Sequence, residues 1–256
     1  MTKWFTDDLT VTIVTVVKND GDGIENTVLS VVNQSYKNIQ YIVVDGGSKD
    51  NTMAVVNKYR GRISEIVSEL DYGIYDAMNK SLPLINGEWV LFLNSGDFLV
   101  NSEVIRRVVD LINKKPSAKI IRGWSILLTN NGAVRKRFKS LASSWKGLPH
   151  SHQAQFVCSC LAKKHPFNTK YRYSADFDFF LTLMNNKVEV VEYDAVVSVC
   201  DYRKGFSKNP NLYVLYRDFI DIHLNRSSWW VIVCVLTYVP IELALVNIKK
   251  ISFWRN

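Results

Sequence analysis

The sequence is poor in cysteine and shows no arrangement of it that stapled folds or metal sites use. Four cysteines, Cys158, Cys160, Cys200 and Cys234, occur in 256 residues. Their spacing matches no zinc or redox motif, and a chain this long does not need a disulfide framework. They read as buried, reduced thiols of a cytoplasmic protein. A secretory signal is missing as well. Asp7 and Asp8 interrupt the N-terminus, and the apolar run Val11–Val17 leads into Lys18-Asn19-Asp20 without a small-residue cleavage pattern. There is no internal repeat and no low-complexity segment. The glycine fingerprint of a dinucleotide site does not follow the first apolar run, where Lys18-Asn19-Asp20-Gly21-Asp22-Gly23 stands instead. Walker, H-E-x-x-H and G-x-S-x-G motifs are absent. No uninterrupted apolar run reaches the ~20 residues of a spanning helix. The longest candidate, inside 227–248, gets there only by including Pro240 and Glu242.

What is present is a core-forming, basic chain. Hydrophobic residues make up 47%, enough to bury a sizeable core, and the net charge is +8. That balance suits an anionic partner such as a phosphate-bearing substrate or an anionic membrane surface. The basic residues are not gathered into a nucleic-acid motif, so nucleic acid is not an expected partner. The β-branched run 10–17 predicts a strand buried on both faces. Apolar residues at Ile24, Val28, Val31 and Val32 predict a helix over 24–33 after a loop over 18–23. Strands follow over 39–44 and 63–68. Between them Asp50 is placed as the N-cap of a helix running to about Tyr59. A short helix over 74–81 breaks near Pro83. A fourth strand runs from Glu88 into Asn94-Ser95-Gly96-Asp97.

The order β-α-β-α-β-α-β with short loops predicts an α/β chain with a mostly parallel sheet, its ligand loops beyond the strand ends. The second half predicts a helix over 102–114 and strands over 119–128 and 133–138, joined by an Asn130-Asn131-Gly132 hairpin turn. A strand over 155–160, a helix over 177–184 and a strand over 188–199 follow. The division expected is 1–207 as one domain, with a 1–100 nucleotide half and a 101–207 acceptor half, then a helical segment over 208–256.

Five stretches then acquire a common meaning. They are 12–19, 30–35, Tyr41-Ile42-Val43-Val44-Asp45-Gly46-Gly47-Ser48-Lys49-Asp50-Asn51-Thr52, Glu69-Leu70-Asp71-Tyr72-Gly73-Ile74-Tyr75-Asp76-Ala77-Met78-Asn79-Lys80, and 87–97. In this order they resemble the signature of family-2 glycosyltransferases with the GT-A fold, closely over about 10–100 and more loosely to about 207. The nearest likeness is to bacterial members that build O-antigen, capsule or exopolysaccharide.

The resemblance implies a Rossmann-like nucleotide sheet flanked by helices, a smaller acceptor-side sheet and a C-terminal helical tail. It implies that Thr15, Val17 and Asp45 meet the base or ribose, and that Asp71, Asn79, Asn94 and Ser95 line the nucleotide-sugar pocket. Asp97 is implied as the ligand of a divalent cation, Mn²⁺ or Mg²⁺. The family carries further acids here, where this chain has Asn94 and Gly96. His152 and Gln153 would lie between donor and acceptor, with His152 able to touch metal, phosphate or acceptor. Arg203 and Lys204 resemble part of a loop closing over the diphosphate. Asp176, where the family has Glu-Asp and this chain Ala175-Asp176, is implied as catalytic base. Each acid also has a structural reading as a turn, cap or solvated residue. The function implied is inverting transfer from a UDP-sugar to a polyprenyl-diphosphate-linked saccharide at the inner face of the cell membrane. The rival reading is a catalytically silent sugar-nucleotide-binding or scaffold subunit. Homo-oligomerisation is left open.

The membrane expectation also comes from the residues themselves. Arg226 precedes the aromatic run at 229, and Lys249, Lys250, Trp254 and Arg255 follow it, flanks that favour one or two helices lying in an interface, with a spanning helix and an ordinary core or oligomer contact as the alternatives. Deleting 227–256 is expected to move the protein from the membrane to the soluble fraction on cell fractionation. Unchanged membrane retention would refute that anchor.

Overall fold

The computed structural model describes residues 9–136, 151–203 and 211–226. Four parallel strands open it: β1 (Val11–Val17), β2 (Ile39–Asp45), β3 (Glu65–Ser68) and β4 (Trp89–Phe92). Between them lie helices α1 (Gly21–Val32), α2 (Thr52–Asn57) and α3 (Ile74–Ser81). Then come β5 (Phe98–Leu99), α4 (Val104–Lys114), β6 (Ile120–Thr129), β7 (Gly132–Lys136), β8 (Gln155–Cys158), α5 (Ser159–Lys164), α6 (Ala175–Asn185), β9 (Val190–Asp201) and α7 (Leu212–Arg226). The sheet order is β3-β2-β1-β4-β8-β6-β9-β5, with β7 pairing β6. The strands of the second half therefore continue the sheet of the first.

Strand alternation explains why the sheet is covered on both faces. Val11, Ile13 and Val17 of β1 enter one core with Ile24 and Val28 of α1 and Val104, Ile105 and Val108 of α4. Val14 and Val16 enter the other, with Met78 of α3, Phe179 and Phe180 of α6, and Phe219 and Ile222 of α7.

Several boundaries differ from the sequence expectation. The loop placed over 18–23 is helical from Gly21, because the Asp20 carboxylate accepts the Gly23 amide at 3.1 Å and caps α1. Asn51, not Asp50, holds the cap position of α2, which ends at Asn57 before a 3₁₀ turn at Arg60–Arg62. Asp50 accepts from the Thr52 and Gly21 amides and so joins the starts of two helices. The strand expected over 155–160 stops at Cys158, and Cys160 lies on α5. Of the cysteines expected to be buried, Cys200 is, Cys158 is partly exposed and Cys160 is exposed; Cys234 lies outside the described residues. The two-residue β5 carried no periodicity to be read; it exists because Phe98 and Leu99 pair with Val199 and Ser198.

The helical segment expected from 208 has its described helix, α7, packed onto the body. Asp221 of α7 accepts from Lys170 Nζ at 2.8 Å and Tyr171 Oη at 2.7 Å. Asp218 accepts from the Tyr173 amide. Arg226 forms a two-pronged ion pair with the buried Asp178 of α6. No helix among the described residues is long and apolar enough to cross a membrane. Arg226→Leu would strand the Asp178 carboxylate. The expected loss is about 2 kcal/mol, between the values for exposed and buried pairs, read as a lower urea midpoint with unchanged slope.

Candidate active site

Strand order reverses between β1 and β4: the chain moves outward through β2 and β3, then returns to the far side of β1. In open α/β sheets the ligand crevice lies beyond the strand ends at that point. Here the ends are 18–20 and 94–97. A hydrogen bond from Ser95 Oγ to Asp20 Oδ2, 2.6 Å, ties the two ends together. Gly96 turns the chain with φ +86°, a conformation that favours glycine. Thr27 of α1 clamps the turn, accepting the Gly96 amide at 3.0 Å and donating to the Asp97 carbonyl at 2.7 Å.

Asp97 is thereby held at the strand ends with 7% of its surface exposed. One carboxylate oxygen accepts from Gln153 Nε2 at 2.8 Å and the other from the Asp201 amide at 3.0 Å. Burial pushes its pKa up to about 6, with those hydrogen bonds opposing the rise. Among the described residues no cationic side chain pairs with it, and no group of three His, Cys, Asp or Glu side chains could hold a metal alone. A hard divalent cation fits such a carboxylate provided its other ligands are diphosphate oxygens and water. Both ring nitrogens of His152 face partners other than Asp97.

Those partners form a second cluster. His152 lies on a 3₁₀ turn, His152–Ala154, leading into β8. Its Nδ1 is 3.2 Å from Asp176 Oδ2 and its Nε2 3.3 Å from Asn94 Nδ2. Both side chains of the His152–Asp176 pair are 17% exposed. Asp176 Oδ1 accepts the Tyr75 hydroxyl at 3.1 Å and the Phe177 amide at 2.9 Å. Burial raises the Asp176 pKa, but the His152 contact and these donors outweigh it and hold the carboxyl below its ordinary value. Burial and the Asp176 charge push the Tyr75 phenol well up, so it remains a donor. Ser174 takes the cap position of α6 that Asp176 had as its structural alternative, and Asp178 is buried rather than solvated.

The structure thus gathers Asn94, Ser95, Asp97, His152, Gln153 and Asp176. Arg203 stands beside them, with its guanidinium spanning both oxygens of Asp201 at 2.9 Å. Lys204 and His150 lie outside the described residues. Other expected site residues have internal duties. The Thr15 hydroxyl is buried and accepts from Tyr41 Oη at 3.1 Å, and the Val17 side chain is buried in the core. The fully buried Asp45 accepts from the Ser48 amide and hydroxyl and, at 2.7 Å, from Ser68 Oγ, so it fixes the turn after β2. Asp71 pairs with Lys18 Nζ at 3.3 Å and sits so close to Gly46 that a Cβ there would lie 1.9 Å from its carboxylate. Asn79 exchanges two 2.8 Å hydrogen bonds with the Phe167 peptide groups. That places the Phe167 ring against Tyr75, so Asn79 acts one layer behind the site.

Asp20, Thr27, Tyr75 and Asp201 were not foreseen. The cap signal before the apolar stripe of α1 could have found Asp20. The others follow from contacts between distant segments.

Comparison with known proteins gives a consistent picture. The family described as Glycosyl transferase family 2 matches residues 12–171. The PGL/p-HBAD biosynthesis glycosyltransferase of Mycobacterium bovis is 31% identical over 172 residues, 66% of this chain and 67% of the relative. WfaP of Escherichia coli, a UDP-Glc:alpha-D-GlcNAc-diphosphoundecaprenol beta-1,3-glucosyltransferase, is 33% identical over 99 residues, 38% of this chain and 39% of the relative. The structure of S. aureus TarS 1-349 with UDP-GlcNAc superposes with a TM-score of 0.70 at 20% identity; the match covers 84% of this chain but only 66% of that one. Glucosyl-3-phosphoglycerate synthase of Mycobacterium tuberculosis, with Mn²⁺, UDP and phosphoglyceric acid, gives a TM-score of 0.62 at 16% identity over 85% of this chain and 78% of that one. These structures share the GT-A fold.

Because Asp97 binds its proton more tightly folded than unfolded, it lowers cation-free stability as pH rises. Both states are protonated below the ordinary value of 3.8. Stability then falls until the folded carboxyl ionises near 6, and the loss persists above that pH. Melting temperature measured from pH 4 to 7 is expected to show this decline in the wild type and a shallower one in Asp97→Asn.

Proposed function

The chain belongs to glycosyl transferase family 2, and on that footing we propose that it moves a sugar, with inversion, from a UDP-sugar to a hydroxyl of a polyprenyl-diphosphate-linked saccharide. The observation that carries this reading is the meeting of two acids of different character at one crevice. Asp97 is a buried carboxylate with no cationic partner among the described residues, and Asp176 is a carboxylate paired with an imidazole. The first suits the diphosphate end of a donor and the second the hydroxyl end of an acceptor. The pairing favours catalysis over a silent scaffold, which has no use for a polarised imidazole.

In this reading Asp97 would hold a divalent cation, Mn²⁺ or Mg²⁺, whose charge would offset that of the diphosphate. Gln153 and the Asp201 amide hold that carboxylate in orientation. The backbone beyond β1 and the Gly46–Ser48 turn, fixed by Asp45, form the nucleoside side. Arg203 and Lys18 bring positive charge to the rim. The acceptor oxygen attacks the anomeric carbon from the face opposite UDP, and its proton leaves toward the His152–Asp176 pair. WfaP, by its name, acts on a diphosphoundecaprenol-linked sugar, which supports the acceptor class. The surface polysaccharide role, and work at the inner membrane face through 227–256, belong to the same proposal, as does the division at 207.

The deciding experiment is a donor screen by UDP release with a lipid-linked acceptor. Turnover is expected with one UDP-sugar, lost on chelation and restored by Mn²⁺. Asp176→Asn is expected to lower it by about 10²–10⁴-fold while UDP still binds. Full turnover in Asp176→Asn would refute the role of the pair.

A further inference from the structure

We propose that a cavity at the end of the sheet away from the crevice is a binding site for a phosphomonoester, held by Lys37, Arg62 and Ser64. It lies where α1 ends and where β2 and β3 begin. The seven residues of β2, about 20 Å of strand, separate it from the turn after Asp45. The site stands apart from the crevice and does not depend on the glycosyl-transfer reading.

The cavity measures about 330 Å³, at the lower end of the range that small-molecule sites occupy, with room for a phosphate and a body of sugar size. One wall comes from the end of α1 and the segment after it, with Val32, Tyr36 and Lys37. The other is the 3₁₀ turn ahead of β3 and its exit, with Gly61, Arg62 and Ser64. Two of the eleven lining residues are cationic and none is acidic. Hydrogen bonds to the start of α4 hold the first wall in shape. The Gln34 amide donates to the Ser30 carbonyl at 2.9 Å and the Asn101 carbonyl at 2.7 Å, and it accepts the Ile105 amide at 3.1 Å. The Ser35 amide donates to the Ser102 carbonyl at 2.8 Å. The cavity is therefore formed in advance of any ligand.

A helix C-terminus is a poor neighbour for an anion, because its last carbonyls carry partial negative charge. Here the two cations answer that charge. Lys37 Nζ donates to the Gln34 carbonyl at 2.9 Å, and Arg62 Nη2 donates to the Val32 carbonyl at 2.5 Å. Each bond uses one N–H of an ammonium that has three or a guanidinium that has five. Both groups are thus pinned at the cavity with donors left for a ligand. Ser64 Oγ accepts the Tyr41 amide at 3.1 Å, which fixes the oxygen and leaves its proton to donate. Beside Tyr36 the Arg106 guanidinium, 4.9 Å from the ring centroid, adds a third positive charge.

Donors on two walls suit a tetrahedral anion with several oxygens better than a flat carboxylate, which one guanidinium can engage alone. Val32, Ile39 and Ile63 supply apolar surface for the carbon part of an ester. Such a phosphate comes either on a soluble metabolite or on a lipid headgroup.

Hydrogen–deuterium exchange of the full chain tests the site and separates the two sources. The probes are ribose 5-phosphate, with ribose as the uncharged control, and vesicles of phosphatidylcholine with and without phosphatidic acid. Expected is slower exchange at 31–37 and 60–64, either with ribose 5-phosphate, marking a soluble ligand, or with phosphatidic acid vesicles, marking a lipid headgroup. Gly61→Asp places a carboxylate on the wall without touching either carbonyl cap, since a Cβ at Gly61 meets nothing within 4 Å. It is expected to raise the Kd of the protecting probe about tenfold, while Gly61→Asn stays near wild type. Lys37→Met, on the other wall, is expected to weaken binding to a similar degree, which keeps the test decisive if Gly61→Asp does not fold. Protection by ribose equal to that by its phosphate, protection confined to 18–20 and 94–97, no protection by any probe, or wild-type affinity in the folded variants overturns the proposal.

Discussion

A carboxylate cut off from water has to be answered by donors, and the answering of Asp97 knits this molecule together. Its partners come from Gln153, ahead of β8, and from the backbone of Asp201, at the end of β9. These positions are far apart in the chain, so the bonds can form only when the strands of the second half have closed onto the parallel half. A hydrogen bond to a charged group is worth about 1.5–3 kcal/mol, and leaving such a group unanswered costs more. The first half of the chain thus carries an electrostatic demand that only the second half meets. The crevice lies along that join.

Much of this architecture was legible in the residues because its signals are local. The β-branched runs of β1 and β2 require burial on both faces, and the Asn-Asn-Gly turn dictates the β6–β7 hairpin. The strand-end acids mark the crevice by position alone. What local signals could not supply was allegiance. Thr15, Asp45 and Asn79 have the chemistry of ligand contacts, yet their polar atoms are committed to Tyr41, Ser48 with Ser68, and Phe167. A sequence shows that a side chain can bond but not which partner reaches it first. Tyr75 and Asp201 were invisible for the opposite reason: a buried helix face and a strand end give no hint that they point at Asp176 and Asp97.

Through these partners the polar residues also bear on the chemistry at one remove. Asn79 fixes the Phe167 peptide, Phe167 packs at 5.6 Å against Tyr75, and Tyr75 donates to Asp176. Asp45 shapes the glycine turn after β2, and Asp71 lies where any side chain on Gly46 would collide with it. A shell of this kind restricts the rotamers of the groups it supports, which is how a site is held to within a fraction of an ångström.

The clasp between Arg226 and Asp178 joins the end of α7 to the first turn of α6, two residues from Asp176. Arg226, the last described residue of α7, is therefore pinned a few residues from the site. On the proposed reading, a lipid-borne acceptor confined to that side of the molecule would be presented to the His152–Asp176 pair at a local concentration set by tether length rather than by bulk diffusion.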